Sequence, residues 1–147
     1  MADRIERSDR RQLAIVGHPI FSMLMPVPIV CFLGALAADL AYMCSENLLW
    51  LNFSSWLILM GLVSGAIAGL FLIIDFVRLS ALRAIAGWSH LLLYFGAWLI
   101  ELFNMLVHNR DGWTAVVPTG LTLSIIAVLL ILIAGWLARP AVVEVVR

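Results

Sequence analysis

Lysine is absent from this 147-residue chain, and charged residues of any kind make up only 12% of it. All nine basic residues are arginine, and nine acids balance them, so the net charge is zero. Such a charge distribution does not attract nucleic acid or an anionic substrate. Hydrophobic residues make up 64% of the chain, whereas soluble domains are about half apolar and about a quarter charged. These values exclude disordered, nucleic-acid-binding and ordinary cytosolic proteins, and they indicate an integral membrane protein in contact with lipid.

The short motifs of common enzyme sites are also missing. The sequence contains no Walker loop, no GxSxG, no HExxH and no CxxC. Its two cysteines, Cys31 and Cys44, are 13 residues apart, the first in the first predicted span and the second just after its end, which argues against a disulfide between them or a metal-binding pair. No nucleophile is accompanied by a base, so we expect a protein that is not an enzyme on its own.

Four nearly uncharged stretches are long enough to cross a bilayer, which takes about 20 helical residues. The predicted spans are residues 20–42, 53–74, 84–107 and 115–137, with tails at 1–12 and 139–147. Asp39 is the only charged residue between Arg11 and Glu46, and Glu101 is the only one in the third span. Short connections force neighbouring helices to run antiparallel. We therefore predict a single all-α membrane domain, an antiparallel up-down bundle of four transmembrane helices.

Arginine is unevenly distributed among the predicted tails and loops. The first and third loops contain only Arg110, whereas the two tails and the second loop contain the other eight, namely Arg4, Arg7, Arg10, Arg11, Arg78, Arg83, Arg139 and Arg147. Because basic residues accumulate on the cytoplasmic side of a membrane, both termini are predicted to face the cytoplasm.

Proline and glycine mark the first two spans. Prolines are tolerated in the first turn of a helix and break it further along, so the regular first helix is predicted to begin near Pro26, after a bent approach. The second span contains Gly61, Gly65 and Gly69, a spacing that lets helix backbones approach closely in lipid. We interpret these glycines as internal bundle packing; the alternative is a homodimer face, which would make the protein a homo-oligomer.

The polar residues of the third span lie on one side of the helix. At about 100° per residue, His90, Tyr94, Glu101, Asn104 and His108 fall on a stripe less than a quarter-turn wide. An ionisable group facing lipid is costly, so this polar stripe is predicted to face the bundle interior or a wet cavity. We expect Glu101 to be protonated or hydrogen-bonded at pH 7, because desolvation disfavours its charged form. Two functions remain open: a proton path or polar ligand cleft, and interhelical hydrogen bonding that fixes the bundle.

Two aspartates and one arginine are predicted to be structural charges. Asp39 lies near the outer end of the first span and Asp75 at the inner end of the second. A negative charge is unfavourable at a helix C-terminus, so Asp75 requires a cation. Arg78, Arg83 and His90 are the nearby candidates for a local salt bridge.

Two histidines are predicted to lie at similar depth on different helices. His18 follows Arg11 by seven residues, and His90 follows Arg83 by seven. Two imidazoles facing each other across a bundle are the axial ligands that a b-type haem needs, so His18 and His90 are candidate haem or metal ligands. The alternatives are a hydrogen bond between helices and chance. His108 lies about 27 Å from His90 along the helix, which excludes a second bis-histidine haem.

The chain resembles the bacterial membrane family catalogued as domain of unknown function 2231. The resemblance begins with the opening motif, residues 17–29, Gly-His-Pro-Ile-Phe-Ser-Met-Leu-Met-Pro-Val-Pro-Ile. It continues through most of the chain at Asp39-Leu40-Ala41-Tyr42, Trp50, Gly61, Gly65, Gly69, Asp75-Phe76, Arg83, His90, Asn104, Arg110 and Gly135-Trp136-Leu137. Phe21, Ser22 and Tyr94 depart from the family pattern, which has a second histidine, a proline and an asparagine there.

This resemblance implies four membrane helices in the inner membrane of a bacterium and no settled activity. Some members of the family are joined to, or encoded near, c-type cytochrome, Rieske or sorbosone-dehydrogenase-like proteins. The resemblance therefore implies that the partner of this chain is a membrane or periplasmic redox protein. We expect an accessory subunit that anchors that partner or passes electrons to it, with a b-type haem between His18 and His90. The alternatives are a non-redox scaffold or assembly protein, and a small-solute or proton pathway along the third helix.

Overall fold

The computed structural model of the chain describes residues 13–15, 23–78, 87–110, 116–137 and 142–144. The long helices in these ranges are α1 (Pro26–Ser45), α2 (Leu48–Arg78), α3 (Gly87–His108) and α4 (Leu121–Leu137), the last preceded by a short turn, Val116–Gly120. Within the described residues, four helices are long and apolar enough to cross a membrane. The prediction of an all-α membrane protein with four spanning helices is confirmed at this level.

Two short strands, one near each end of the chain, pair with each other. β1 (Leu13–Ile15) pairs antiparallel with β2 (Val142–Glu144), so that Leu13 lies opposite Glu144. The sequence analysis did not predict these strands, because three residues are too few for an alternating pattern to be recognised. The pairing brings the segments before α1 and after α4 together.

The boundary between α1 and α2 is set by local capping. α1 begins at Pro26, as predicted, because a proline at this position removes an N–H that would have no partner within the helix. It ends at Ser45, where Glu46 adopts the left-handed conformation (φ 52°) and donates its N–H to the Tyr42 carbonyl at 2.8 Å. Asn47 accepts the Leu49 N–H at 3.0 Å, so α2 begins at Leu48, before the predicted start at residue 53.

Close contact between helices depends on the glycines of α2. Gly61, Gly65 and Gly69 are all buried. A methyl group added at Gly61 would overlap the ring of Phe32 on α1, and one at Gly65 would lie 3.1 Å from Trp98 on α3. Small residues at these positions therefore let α1 and α3 approach the α2 backbone.

An apolar cluster lies at the centre of the bundle, and all four helices contribute to it. Its buried members are Phe32, Ala35, Ile58, Leu62, Ala97, Val128 and Ile131. Large apolar side chains are also exposed on the outside, including Trp56 and Trp136. An exterior as apolar as the interior is expected of helices that are surrounded by lipid.

Candidate functional site

A buried polar cluster lies next to the apolar core, and Asp39 of α1 is at its centre. The Asp39 carboxylate accepts hydrogen bonds from Ser54 on α2 (2.6 Å), from His108 on α3 (2.9 Å) and from Ser124 on α4 (2.6 Å). The Asp39 and Ser124 side chains are fully buried. One carboxylate therefore connects the helix that carries it with the other three. We call Asp39, Ser54, Glu101, Asn104, His108 and Ser124 the polar cluster.

Both ring nitrogens of His108 are engaged. Nδ1 lies 3.0 Å from the backbone carbonyl oxygen of Asn104, and a carbonyl only accepts, so Nδ1 carries a proton. Nε2 lies 2.9 Å from Asp39 Oδ1. Asp39 also accepts hydrogen bonds from the hydroxyl groups of Ser54 and Ser124. The contact has the geometry of a histidine–aspartate ion pair inside the bundle.

Asn104 connects this ion pair with Glu101. Its Nδ2 group donates to Ser124 Oγ at 2.8 Å and to Glu101 Oε2 at 3.0 Å. Glu101 lies seven residues before His108, which places it about 10 Å further along the helix from the α3 end. The polar cluster therefore extends from the end of α3 into the interior of the bundle.

The residue types of a hydrolase triad are present, but their geometry is different. Ser54 Oγ lies 3.3 Å from His108 Nε2, the same nitrogen that contacts Asp39. In a catalytic triad the aspartate and the serine contact different nitrogens, so that the imidazole can take the serine proton. Here the Ser54 hydroxyl donates to Asp39, and all three side chains are buried. The arrangement fixes the helices but does not activate a nucleophile.

The structure divides the polar stripe of α3 in two. Tyr94, Glu101, Asn104 and His108 are all buried. The last three belong to the polar cluster, whereas the Tyr94 hydroxyl donates to the Gly65 carbonyl oxygen at 2.6 Å. Between the two parts lies the apolar core, to which α3 contributes Ala97.

The predicted histidine pair and part of the predicted charge set fall outside the described structure. His18 and Arg83 lie outside the described residues, and for His90 and Asp75 only the helical backbone is described. Ligation by His18 and His90 and a salt bridge from Asp75 remain predictions. Within the described ranges, no group of three histidine, cysteine or acidic side chains is arranged to hold a metal ion.

Sequence reasoning did not include the two serines or the role of Asp39 as their shared acceptor. A signal for Ser54 was available, because Ser54 precedes Gly61 by seven residues and so lies on the same face of α2 as the glycines. Ser124 similarly lies on the buried face of α4 with Ala127, Val128, Ile131 and Ala134. No pattern within one helix could have shown that both serines contact the aspartate of α1.

Comparison with known proteins identifies the family. Residues 17–146, nearly the whole chain, match the family model described as "Predicted membrane protein (DUF2231)", and the chain belongs to that family. The resemblance found from the opening motif and the later residues is thereby confirmed. No curated protein matches the chain, and no solved structure does.

Proposed function

We propose that this member of the predicted membrane protein family (DUF2231) is a small accessory subunit of the bacterial inner membrane, a rigid anchor for a protein partner. The observation that carries the proposal is that Asp39 is hydrogen-bonded to side chains of all three other helices. Loss of any of these bonds would leave a buried polar group unpaired, so the bonds hold the helices in fixed relative positions. A fixed surface lowers the entropic cost of binding a partner.

We infer an antiparallel bundle with both termini in the cytoplasm. Along α1 and α2, residue 28 lies near residue 65, residue 32 near residue 61, and residue 39 near residue 54, as is expected when two helices run in opposite directions. The pairing of β1 with β2 supports the inference that the two ends of the chain lie on the same side of the membrane. The excess of arginine in the tails and the second loop favours the cytoplasm as that side.

The interior of the bundle favours an anchoring role over a small-solute or proton pathway along α3. Such a pathway needs polar groups or water along its length. Between Glu101 and Tyr94, the interior is occupied by apolar side chains, including Leu62, Ala97 and Val128. In contrast, the polar cluster connects the four helices, as expected for a scaffold.

We extend this proposal to a redox partner and to a b-type haem between His18 and His90. The chain has three histidines, and both nitrogens of His108 are already hydrogen-bonded. The other two are therefore the candidates for axial ligands, and each follows an arginine by seven residues. A bound haem would supply one-electron transfer. Without a haem, the same bundle acts as a non-redox scaffold or assembly protein.

The accessory role is tested by purifying the full-length protein from its native membrane in mild detergent. We expect it to run in native gels as a complex with one membrane or periplasmic protein in fixed stoichiometry. Asp39→Ala should reduce the yield of that complex because the helices lose their shared acceptor. Ser55→Ala is the matched control, because the Ser55 hydroxyl contacts only the Leu51 carbonyl of its own helix among the contacts described. A protein found only as a monomer or homo-oligomer would contradict the proposal.

The absorption spectrum of the same preparation decides between the redox and non-redox forms of the role. In the redox form a Soret band is present, is lost in His90→Ala and persists in the control variant Ser55→Ala. If the native complex has no Soret band when its host is supplied with haem, the haem is eliminated and the scaffold form is retained. A band that His90→Ala leaves unchanged would show that the ligands were assigned wrongly.

A further inference from the structure

Two buried polar atoms in the polar cluster have no hydrogen-bond partner. They are Glu101 Oε1 and Asn104 Oδ1, and both residues are fully buried. An unpaired polar atom in the interior of a protein is costly, and one in a native structure requires an explanation. These two atoms belong to side chains that already share one hydrogen bond, from Asn104 Nδ2 to Glu101 Oε2.

The orientation of the Asn104 amide follows from its neighbours. Ser124 has one hydroxyl hydrogen, and it points to Asp39 Oδ2 at 2.6 Å. The Asn104 atom that lies 2.8 Å from Ser124 Oγ must therefore donate, which identifies it as the nitrogen. The second amide hydrogen points to Glu101. Both hydrogens are thus used, and the Asn104 oxygen remains as an acceptor without a donor.

The protonation state of Glu101 determines whether the two unpaired atoms can satisfy each other. If Glu101 is a carboxylate, its Oε1 and the Asn104 Oδ1 are both acceptors, and neither can bond to the other. If Glu101 carries a proton on Oε1, it becomes a donor for Oδ1. A carboxylic acid and a primary amide can form two hydrogen bonds side by side, and in that arrangement one proton would satisfy both atoms.

The charges around Glu101 also favour its protonated form. Asp39 on α1 and His108 on α3 form an ion pair, whose two charges cancel each other. The hydrogen-bonding groups from α2 and α4 in the cluster, Ser54 and Ser124, are uncharged. An ionised Glu101 would add a second negative charge to a buried cluster with one positive charge.

We propose that Glu101 is a proton-binding site and that Asn104 and Ser124 couple its protonation to the Asp39–His108 ion pair. When Glu101 loses its proton, Glu101 Oε1 and Asn104 Oδ1 are both buried acceptors without a donor. Turning the Asn104 amide over would place its oxygen against Glu101 Oε2 and Ser124 Oγ, so the two side chains must instead move apart, which disturbs the hydrogen bond from Asn104 to Ser124. Release of the proton therefore weakens the contact between α3 and α4, and uptake restores it. This makes the anchor responsive to protons, a property that the accessory role alone does not require.

Infrared difference spectroscopy of wild type against Glu101→Gln tests the site at pH 7 in lipid. Glutamine can make the same two hydrogen bonds as the protonated acid, so the variant should fold and retain the wild-type unfolding temperature. We expect the difference spectrum to contain the C=O band of a protonated carboxyl group, shifted in D2O, and no carboxylate band. Glu46→Gln, at an exposed carboxyl group near the end of α1, is the matched control and should show carboxylate bands.

A carboxylate band assigned to Glu101 would overturn the proposal, as would a large fall in unfolding temperature in Glu101→Gln. The coupling is tested separately with Ser124→Ala, in which the Glu101 C=O band should shift although Ser124 is connected to Glu101 only through Asn104 in the hydrogen bonds described. An unchanged band in Ser124→Ala would overturn the coupling. None of these results depends on a protein partner, so failure here is distinguishable from failure of the accessory role.

Discussion

At the scale of single residues, the two neighbouring serines of α2 make different contacts. Ser54 donates to Asp39 at 2.6 Å, with a longer contact to the Ala35 carbonyl at 3.3 Å. Ser55 donates at 2.9 Å to the Leu51 carbonyl of its own helix. Only the first of these hydroxyls connects two helices through a carboxylate.

We therefore predict that Ser54→Ala is more destabilising than Ser55→Ala. Loss of a hydrogen bond to a charged group costs about 1.5–3 kcal/mol, whereas a hydroxyl bonded to its own helix contributes little to stability. The free energy of unfolding should fall by about 1.5–3 kcal/mol in Ser54→Ala and by less than about 0.5 kcal/mol in Ser55→Ala. The measurement is reversible unfolding by denaturing detergent in mixed micelles. Equal losses in the two variants would contradict the contact described for Ser54.

The sequence identified the buried polar residues of α3 more completely than those of the other helices. Glu101, Asn104 and His108 stand out because each is a polar residue in an apolar span, and their angular positions coincide. Ser54 and Ser124 do not stand out, since serine is common in membrane helices and packs or bonds locally in many of them. The contacts of Asp39 depend on how four separate helices pack, and a single sequence does not contain that information.

At the scale of elements, the three glycines let the neighbouring helices approach the α2 backbone closely. Gly61 faces the Phe32 ring, and Gly69 faces Tyr94 and Phe95. The spacing of the glycines predicted a close helix contact, but it could not identify Phe32 as the neighbour. The start of α2 was also predicted too late in the sequence. Asn47 caps the first turn of this helix, and no change in hydropathy marks that position.

We predict that Gly61→Ala destabilises the bundle and that Gly135→Ala does not. The added methyl group at Gly61 overlaps the Phe32 ring, and overpacking of this kind typically costs about 1–3 kcal/mol. Apart from the two neighbouring residues and the backbone of its own helix, no atom lies within 4 Å of a methyl group added at Gly135. Thermal unfolding in detergent, followed by circular dichroism, should show a lower midpoint for Gly61→Ala only. If Gly61→Ala has the wild-type midpoint, α1 is not packed on α2 as described.

At the scale of the whole molecule, the polar cluster and the apolar core have different roles. The core fills the space between helices, but in lipid an apolar contact between helices replaces an equally apolar contact with an acyl chain. The polar cluster is more specific, because its groups cannot be satisfied by lipid and require partners from particular helices. The relative positions of the four helices therefore depend most on Asp39 and the groups that bond to it.

The most direct test of this central claim is a double-mutant cycle on Asp39 and His108, measured by unfolding in mixed micelles. Each of Asp39→Ala and His108→Ala should cost about 3–5 kcal/mol, because each leaves its partner buried without a counter-charge. The double variant should cost less than the sum, with a coupling free energy of about 1–3 kcal/mol. That exceeds the average of about 0.6 kcal/mol for hydrogen bonds between membrane helices. Additive losses, with no coupling between the two residues, would contradict a bundle held together through the Asp39 carboxylate.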